Sequence, residues 1–370
     1  MKKNVAIIAG GYSSEFDVSL RSAENLYAFI DKERYNAYIV VLKKDAWEVI
    51  RNYELGIRNY ETREDSFQLS VLNSQLGEKG EIGNKNSNSY DLTVLQSYGL
   101  EMTPINKNTF SFCQGNDTIQ FDFAYITIHG TPGEDGLLQG YLDMLGIPYS
   151  TCGVLASALT FNKYACNQFL QSYGVAVSDS ILIRQGQPVY PEQIAEKLGL
   201  PVFVKPNKSG SSFGISKVHA ASQIHSAIDK AFLEDSEALI ERFIPGIELT
   251  CGCYQSKLKI TALPVTEVVS KNEFFDYGAK YNGEVEEITP ARITTELTDT
   301  IQHETEKIYQ IIGAKGIIRA DYIVSPAGIP VLLEVNTTPG MTATSFIPQQ
   351  VQAAGLNMTD MMTEIIENNI

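Results

Sequence analysis

The chain is short of basic residues. Its 370 residues carry 29 Lys and Arg against 44 Asp and Glu, a formal net charge of −15 at pH 7. A surface this acidic repels phosphate backbones and anionic lipid, which argues against nucleic acid or a membrane surface as partner. A small anionic ligand in a local basic pocket is still allowed. Long apolar runs are missing as well, none approaching the about 18 residues that span a bilayer. Met1-Lys2-Lys3-Asn4 followed by the apolar residues 5–9 has the outline of a secretory leader. That stretch is short, however, and runs into Gly10-Gly11 with no small-residue cleavage pattern, so a buried first strand is expected. Cysteine is scarce: Cys113, Cys152, Cys166, Cys251 and Cys253 are odd in number and make no disulfide framework. Reduced core thiols and a cytoplasmic location are the expectation.

What is present suits an enzyme of two or three domains. The hydrophobic fraction is 44% and the charged fraction 20%, enough to build large cores. Apolar residues 5–9, helical spacing through Leu20, Ala23, Leu26, Tyr27 and Ile30, and a second apolar run at 37–42 read as a doubly wound βαβ opening, with Ser13 and Ser14 as candidate helix caps. Residues 121–128 read as a further strand ending at His129-Gly130. The stretch 51–119 fits poorly and is expected to hold a surface insertion. From 152 onward helices at 156–161, 164–173, 224–233 and 298–312 interleave with strands at 202–205, 238–243, 248–254, 260–269, 316–324 and 331–335, and the tail is helical at 348–354 and 360–367. This order predicts three domains, at 1–151, 152–245 and 246–370.

Several segments carry chemistry. Lys205-Pro206-Asn207-Lys208-Ser209-Gly210-Ser211-Ser212-Phe213-Gly214 follows a strand; glycine admits backbone N–H groups to an anion, and the hydroxyls and lysines add donors and charge. It lacks Walker A spacing, and on its own a surface loop would read the same. Arg319 and Asp321 share one face of a strand, as do Glu334 and Asn336 on the next. Two carboxylates and an amide oxygen suit Mg²⁺, although a simple ion pair with Arg319 reads equally well in isolation. Residues 270–285, aromatic and glycine-punctuated, suit a lid or a packed loop. Glu15 at a helix start would attract an ammonium, and His129 sits at the carboxyl end of a strand, where open α/β sheets place ligands. Gly10 and Gly11 do not complete a dinucleotide fingerprint, which disfavours an oxidoreductase.

Taken in order, GGYSSEFDVSL, IHGTPGEDGLLQGYLDMLGIPYS, VKPNKSGSSFG, FFDYGAKY, IIRADY and LEVNTTPGMTATS resemble the D-alanine–D-alanine ligases of the ATP-grasp superfamily over nearly the whole chain outside 51–119. The resemblance implies a three-domain ATP-grasp fold, mixed α/β and α+β, with an N-terminal doubly wound α/β domain. It implies ATP-dependent ligation of two D-alanines through an acyl phosphate, for peptidoglycan precursors. By the same resemblance, Lys163 and Lys205 hold ATP phosphates, Ser212 belongs to the phosphate loop, and Lys280 reaches the transferred phosphoryl. Glu241 and Ile244 meet adenine and Glu248 the ribose. Asp321, Glu334 and Asn336 ligate two Mg²⁺ ions, with Mn²⁺ as a substitute, and Arg319 stabilises charge on the reacting carboxyl. Glu15 takes the ammonium of the first D-alanine and His129 lies near its carboxylate; Ser211 and Tyr281 join Glu15 in a hydrogen-bonded set. Ser345, with Gly340 and Phe346 alongside, receives the carboxylate of the second. Tyr281 matches dipeptide makers rather than relatives that accept D-lactate. A homodimer is implied too. An ATP-grasp ligase for another acid–amine pair and an inactive nucleotide-binding protein are the competing readings; the second would lack a metal ligand or the arginine, and all are present.

Overall fold

The computed structural model describes residues 2–51, 101–210, 214–256, 259–270 and 285–370. Two compact units emerge. The first is drawn from Met1–Val154, Thr338–Gln352 and Leu356–Ile370, the second from Leu155–Thr337 and Ala353–Gly355.

In the first unit, β1 (Lys3–Gly10) leads through α1 (Phe16–Phe29) to β2 (Tyr35–Leu42), β3 (Trp47–Arg51), β4 (Glu101–Pro104), β5 (Ser111–Gln114), β6 (Asp117–Gln120), β7 (Phe123–Ile126) and α2 (Leu137–Leu145). The main sheet runs β4-β3-β2-β1-β7, with β1 parallel to both β2 and β7. A central parallel strand is covered on both faces, which is why residues 5–9 are continuously apolar and fully buried. The expected βαβ opening is therefore present. α1 buries Leu20, Ala23, Leu26 and Tyr27, the positions its sequence spacing singled out.

Within 51–119, part of which was expected to be a surface insertion, the described residues 101–119 are built into the first unit. Residues 52–100 lie outside the described residues, but β4 pairs with β3 as part of the main sheet. Phe110 and Phe112 are buried at 0% and 1% exposure, packed with Phe121 and the partly buried Tyr38. Fully burying each such ring contributes about 1.5–3 kcal/mol. Short hairpin strands dilute the apolar periodicity here, so the sequence pattern looked weak.

The second unit begins with α3 (Val154–Phe161) and α4 (Lys163–Gln171). A four-stranded antiparallel sheet, β10-β9-β11-β8, is made from β8 (Ser180–Arg184), β9 (Val202–Pro206), β10 (Ser216–Val218) and β11 (Glu237–Arg242). Its core gathers Val202, Val204 and Ile240 with Ile194 and Leu198 of α5 (Pro191–Leu198) and Ile224 and Ile228 of α6 (Ile224–Ala231). A second sheet is built from β12 (Ile247–Gln255), β13 (Ile260–Ala262), β14 (Thr266–Ser270), β15 (Val285–Ile288), β16 (Ile317–Val324) and β17 (Pro330–Asn336) in the order β15-β14-β12-β16-β17, with β13 also paired to β12. Between β15 and β16, α7 (Thr295–Ile311) buries Ile301, Ile308 and Tyr309. The single strand expected at 260–269 is two strands, because Pro264 has no N–H to continue the ladder. β8, α2 and α5 were not anticipated.

The C-terminal helices α8 (Phe346–Ala353) and α9 (Met358–Glu367) complete the first unit. α9 buries Met358, Met361, Met362, Ile365 and Ile366, and Glu367 accepts a 2.6 Å hydrogen bond from Tyr35 Oη at the start of β2.

Candidate active site

Strand register assembles a cluster of charged side chains in the second unit. Along β16, Ile318, Ala320 and Tyr322 are buried on one face while Arg319 and Asp321 share the other. The antiparallel ladder sets Arg319 opposite Asn336 and Asp321 opposite Glu334 on β17. Four functional side chains thus fall on one patch of two strands, and the register shifts immediately after Asp321, where a bulge re-aims the backbone. Arg319 grips Asp321 with two parallel bonds, Nε to Oδ1 at 2.8 Å and Nη2 to Oδ2 at 2.7 Å. Thr250 on β12, opposite Asp321 on its other side, donates to Oδ1 at 2.6 Å.

Asn336 Nδ2 lies between the carboxylates, 3.1 Å from Asp321 and 3.5 Å from Glu334. The amide occupies the place where two carboxylates converge, and turned over it would present its oxygen instead of its nitrogen. The donor set is all oxygen, as Mg²⁺ requires. Among the described residues no group of three or more His, Cys, Asp or Glu gathers to hold a metal; this patch offers two carboxylates and one amide.

Cations converge on the same patch. Lys163 opens α4 and places Nζ 3.2 Å from Glu334 Oε2 and 2.6 Å from the carbonyl of Ser209. Burial opposes ionisation of Glu334, but Lys163, Lys205 and Arg319 outweigh it and hold its carboxyl down to about 2. Lys205, near the end of β9, pairs with Glu241 on β11 at 2.6 Å. Lys205 is opposite Leu239 in the ladder, so Glu241 is its diagonal neighbour on the same face. A chain with a large acidic excess has here built a local cluster of three cations. Glu248 lies on β12 two residues before Thr250, hence on the same face, and the partly buried Ile244 lies in the segment joining β11 to β12.

The first unit has a separate constellation. Gly10 and Gly11 take φ of +90° and +101°, and a Cβ on Gly10 would stand 2.6 Å from the carbonyl of Leu42. The tight turn delivers Glu15 to the N-terminus of α1. Ser13 does not cap that helix through its side chain as expected; its hydroxyl donates to His129 O at 2.8 Å and accepts from Glu15 N at 3.3 Å. One side chain therefore locks two separated segments together. His129 is 8% exposed, and its Nε2 has no hydrogen-bond partner among the described residues. Beside it, burial pushes the Glu134 carboxyl above the usual range; His129, the Gly130 N–H and Thr338 pull it back, while Glu15 adds to the rise. The turn before α8 belongs to this unit as well. Ser345 Oγ accepts from Thr342 N at 3.1 Å and lies 2.7 Å from Thr342 Oγ1, with Gly340 close above it and Phe346 buried at the helix start.

Residues 4–152 match the D-ala D-ala ligase N-terminus family and residues 169–367 the D-ala D-ala ligase C-terminus family. The chain belongs to the D-alanine–D-alanine ligase family. The D-alanine–D-alanine ligases of Parabacteroides distasonis and Bacteroides fragilis are each 54% identical to it, covering the whole chain and 98% and 99% of their own lengths. Among solved structures, the VanG D-Ala:D-Ser ligase of Enterococcus faecalis is 28% identical with a TM-score of 0.77, covering 99% of both chains. The D-alanine–D-alanine ligase of Bacillus anthracis complexed with ATP is 27% identical with a TM-score of 0.69, covering 99% of this chain and 96% of its own. The fold is the ATP-grasp fold of this ligase family, as the sequence resemblance implied.

Within this ligase, the described residues place Lys163, Lys205, Glu241, Ile244, Glu248, Arg319, Asp321, Glu334 and Asn336 in the second unit and Glu15, His129, Gly340, Ser345 and Phe346 in the first. Ser211, Ser212, Lys280 and Tyr281 lie outside the described residues, as do residues 271–284 of the candidate lid at 270–285. The contacts of Thr250 with Asp321 and of Ser13 with His129 are not legible in the sequence. Their partners lie far along the chain or across a strand, and no local pattern marks them.

Proposed function

We infer that this ligase joins two D-alanines into D-alanyl-D-alanine, ATP phosphorylating the carboxylate of the first to an acyl phosphate and the amine of the second displacing phosphate, and so supplies peptidoglycan precursors. The observation that carries the reading is the patch of Arg319, Asp321, Glu334 and Asn336 faced by Lys163, in a chain 54% identical over its full length to proteins named for this activity.

In this reading, Lys163 and Lys205 bind ATP phosphates and Lys280 the transferred phosphoryl, with Ser211 and Ser212 in the phosphate loop. Glu241 and Ile244 take adenine and Glu248 the ribose. Asp321, Glu334 and Asn336 would hold two Mg²⁺ ions, or Mn²⁺, which when bound neutralise phosphate charge. Glu15 holds the ammonium of the first D-alanine, and His129 Nε2 its carboxylate. The Arg319 guanidinium faces charge that develops on the reacting carboxyl, an interaction worth most in the transition state. Ser345, with the Gly340 turn and Phe346 beside it, receives the second D-alanine, and Tyr281 and Ser211 join Glu15 in positioning substrate. Phosphoryl transfer needs positioning and charge neutralisation above all, and these residues supply both.

The proposed domain division at 1–151, 152–245 and 246–370 draws support from the three main sheets, each confined to one of these spans, while α8 and α9 of the last span group with the first unit. A homodimer and a cytoplasmic location complete the proposal; no helix among the described residues is long and apolar enough to cross a membrane. The test is phosphate release by purified protein with ATP, Mg²⁺ and single amino acids. Release with D-alanine, with the dipeptide identified by mass, is expected. Release only with another acid–amine pair overturns the substrate assignment and leaves the ligase chemistry.

A further inference from the structure

Asn207 is fully buried, and almost all its hydrogen-bonding capacity is used. Its N–H donates to Glu237 O at 2.9 Å and its carbonyl accepts from Lys163 N at 3.3 Å. In the side chain, Oδ1 accepts from Tyr164 N at 2.9 Å, while Nδ2 donates to Asn162 Oδ1 at 2.8 Å and Glu237 Oε2 at 2.9 Å. Asn162 is the N-cap of α4 and at the same time accepts from Ala165 N at 3.0 Å.

A helix start needs partners for its first N–H groups, and the N-cap residue alone commonly satisfies one. Here two more are satisfied by a residue from another element, two positions after Lys205. The first turn of α4, which carries Lys163, is thereby fastened to the end of β9, which carries Lys205. Serine or alanine could not reach these partners, and aspartate offers no donor.

We propose that Asn207 is a positioning residue that sets the spacing of Lys163 and Lys205 for the phosphates of ATP. The inference rests on the assignment of those two lysines to ATP binding. Asn207→Asp keeps the acceptor for Tyr164 N, removes both donations, and sets a carboxylate against Glu237. Adding Glu237→Gln returns a donor and removes the like charge.

The experiment is steady-state kinetics with ATP and D-alanine varied separately, alongside thermal unfolding. Asn207→Asp is expected to raise the KM for ATP about tenfold, equivalent to about 1.4 kcal/mol, with the KM values for D-alanine within about twofold of the parent. Asn207→Asp/Glu237→Gln should recover most of that loss. Asn162→Thr, which keeps a capping oxygen but shortens the link to Asn207, should also raise the KM for ATP and serves if Asn207→Asp fails to fold. An unchanged KM for ATP in the folded variants, with only a lower melting midpoint, makes Asn207 a structural brace and overturns the proposal. Lys163→Ala separates the two levels: if it too leaves the KM for ATP unchanged, the assignment of the lysine has failed; if it alone raises it, only the positioning role has.

Discussion

The Lys205 ammonium lies 2.6 Å from Glu241 Oε2, with the two side chains only 11% and 7% exposed. Pairing makes this burial tolerable, since removing one partner leaves the other charge without compensation. Glu241→Ala is expected to destabilise the fold by about 3–5 kcal/mol, and replacing both residues with methionine should cost less than either single change. Urea unfolding of the single and double variants checks the order. ATP should bind weakly to all of them, because both side chains belong to the proposed nucleotide site.

Arg319 holds Asp321 through two parallel donors that lysine cannot reproduce. Arg319→Lys is expected to lower kcat by about 10²–10³-fold. The KM for ATP should change far less, because the lost interaction is made mainly in the transition state. Phosphate-release kinetics at saturating substrates separate the two effects. A large rise in the KM for ATP with an unaltered kcat would make Arg319 a ground-state binding group.

A Cβ added to Gly340 would stand 2.8 Å from Ser345 Oγ, a hydroxyl engaged with Thr342. Gly340→Ala should therefore turn Ser345 away and raise the KM for the second D-alanine about tenfold. The KM for ATP, measured in the same assay, is the control for a wider loss of activity. Initial rates over a wide D-alanine range, fitted for two successive binding events, read it out.

The Glu237 carboxyl is held below its ordinary 4.5; burial works against this, and donation from Asn207, Lys208 and Arg184 outweighs it. A carboxyl with a lower value in the folded state stabilises fully above the unfolded value. That contribution is lost as pH falls through the folded value. Glu237→Gln should accordingly melt below the parent at neutral pH, and the gap should close as pH drops below 4.5. Melting midpoints from about pH 7 to about pH 3 test the sign.

Much of the site was legible without coordinates where it depends on local period. Arg319 and Asp321 are two apart on a strand, as are Glu334 and Asn336, and a period of two puts each pair on one face whatever the rest of the chain does. Burial on both sides made β1 readable as an apolar run, and helical spacing marked the inner face of α1. The stretch 101–119 was not readable, because aromatic residues on short hairpin strands show too few repeats to reveal which side is buried. Pro264 interrupts the ladder between β13 and β14 inside what the residue types alone present as one apolar run.

Residue types and local spacing supply the inventory: two carboxylates, an amide, an arginine and the lysines, in an order shared by a family of ligases, within an acidic chain that repels polyanions. Tertiary structure decided which groups oppose which. Register placed Asp321 against Glu334 and against Thr250, the first turn of α4 brought Lys163 to Glu334, and Asn207 joined that turn to β9. It also gathered the Glu15 turn, His129 and the Ser345 turn into one unit. Contacts between residues dozens or hundreds of positions apart follow from strand pairing and core packing, and neither leaves a trace in local spacing.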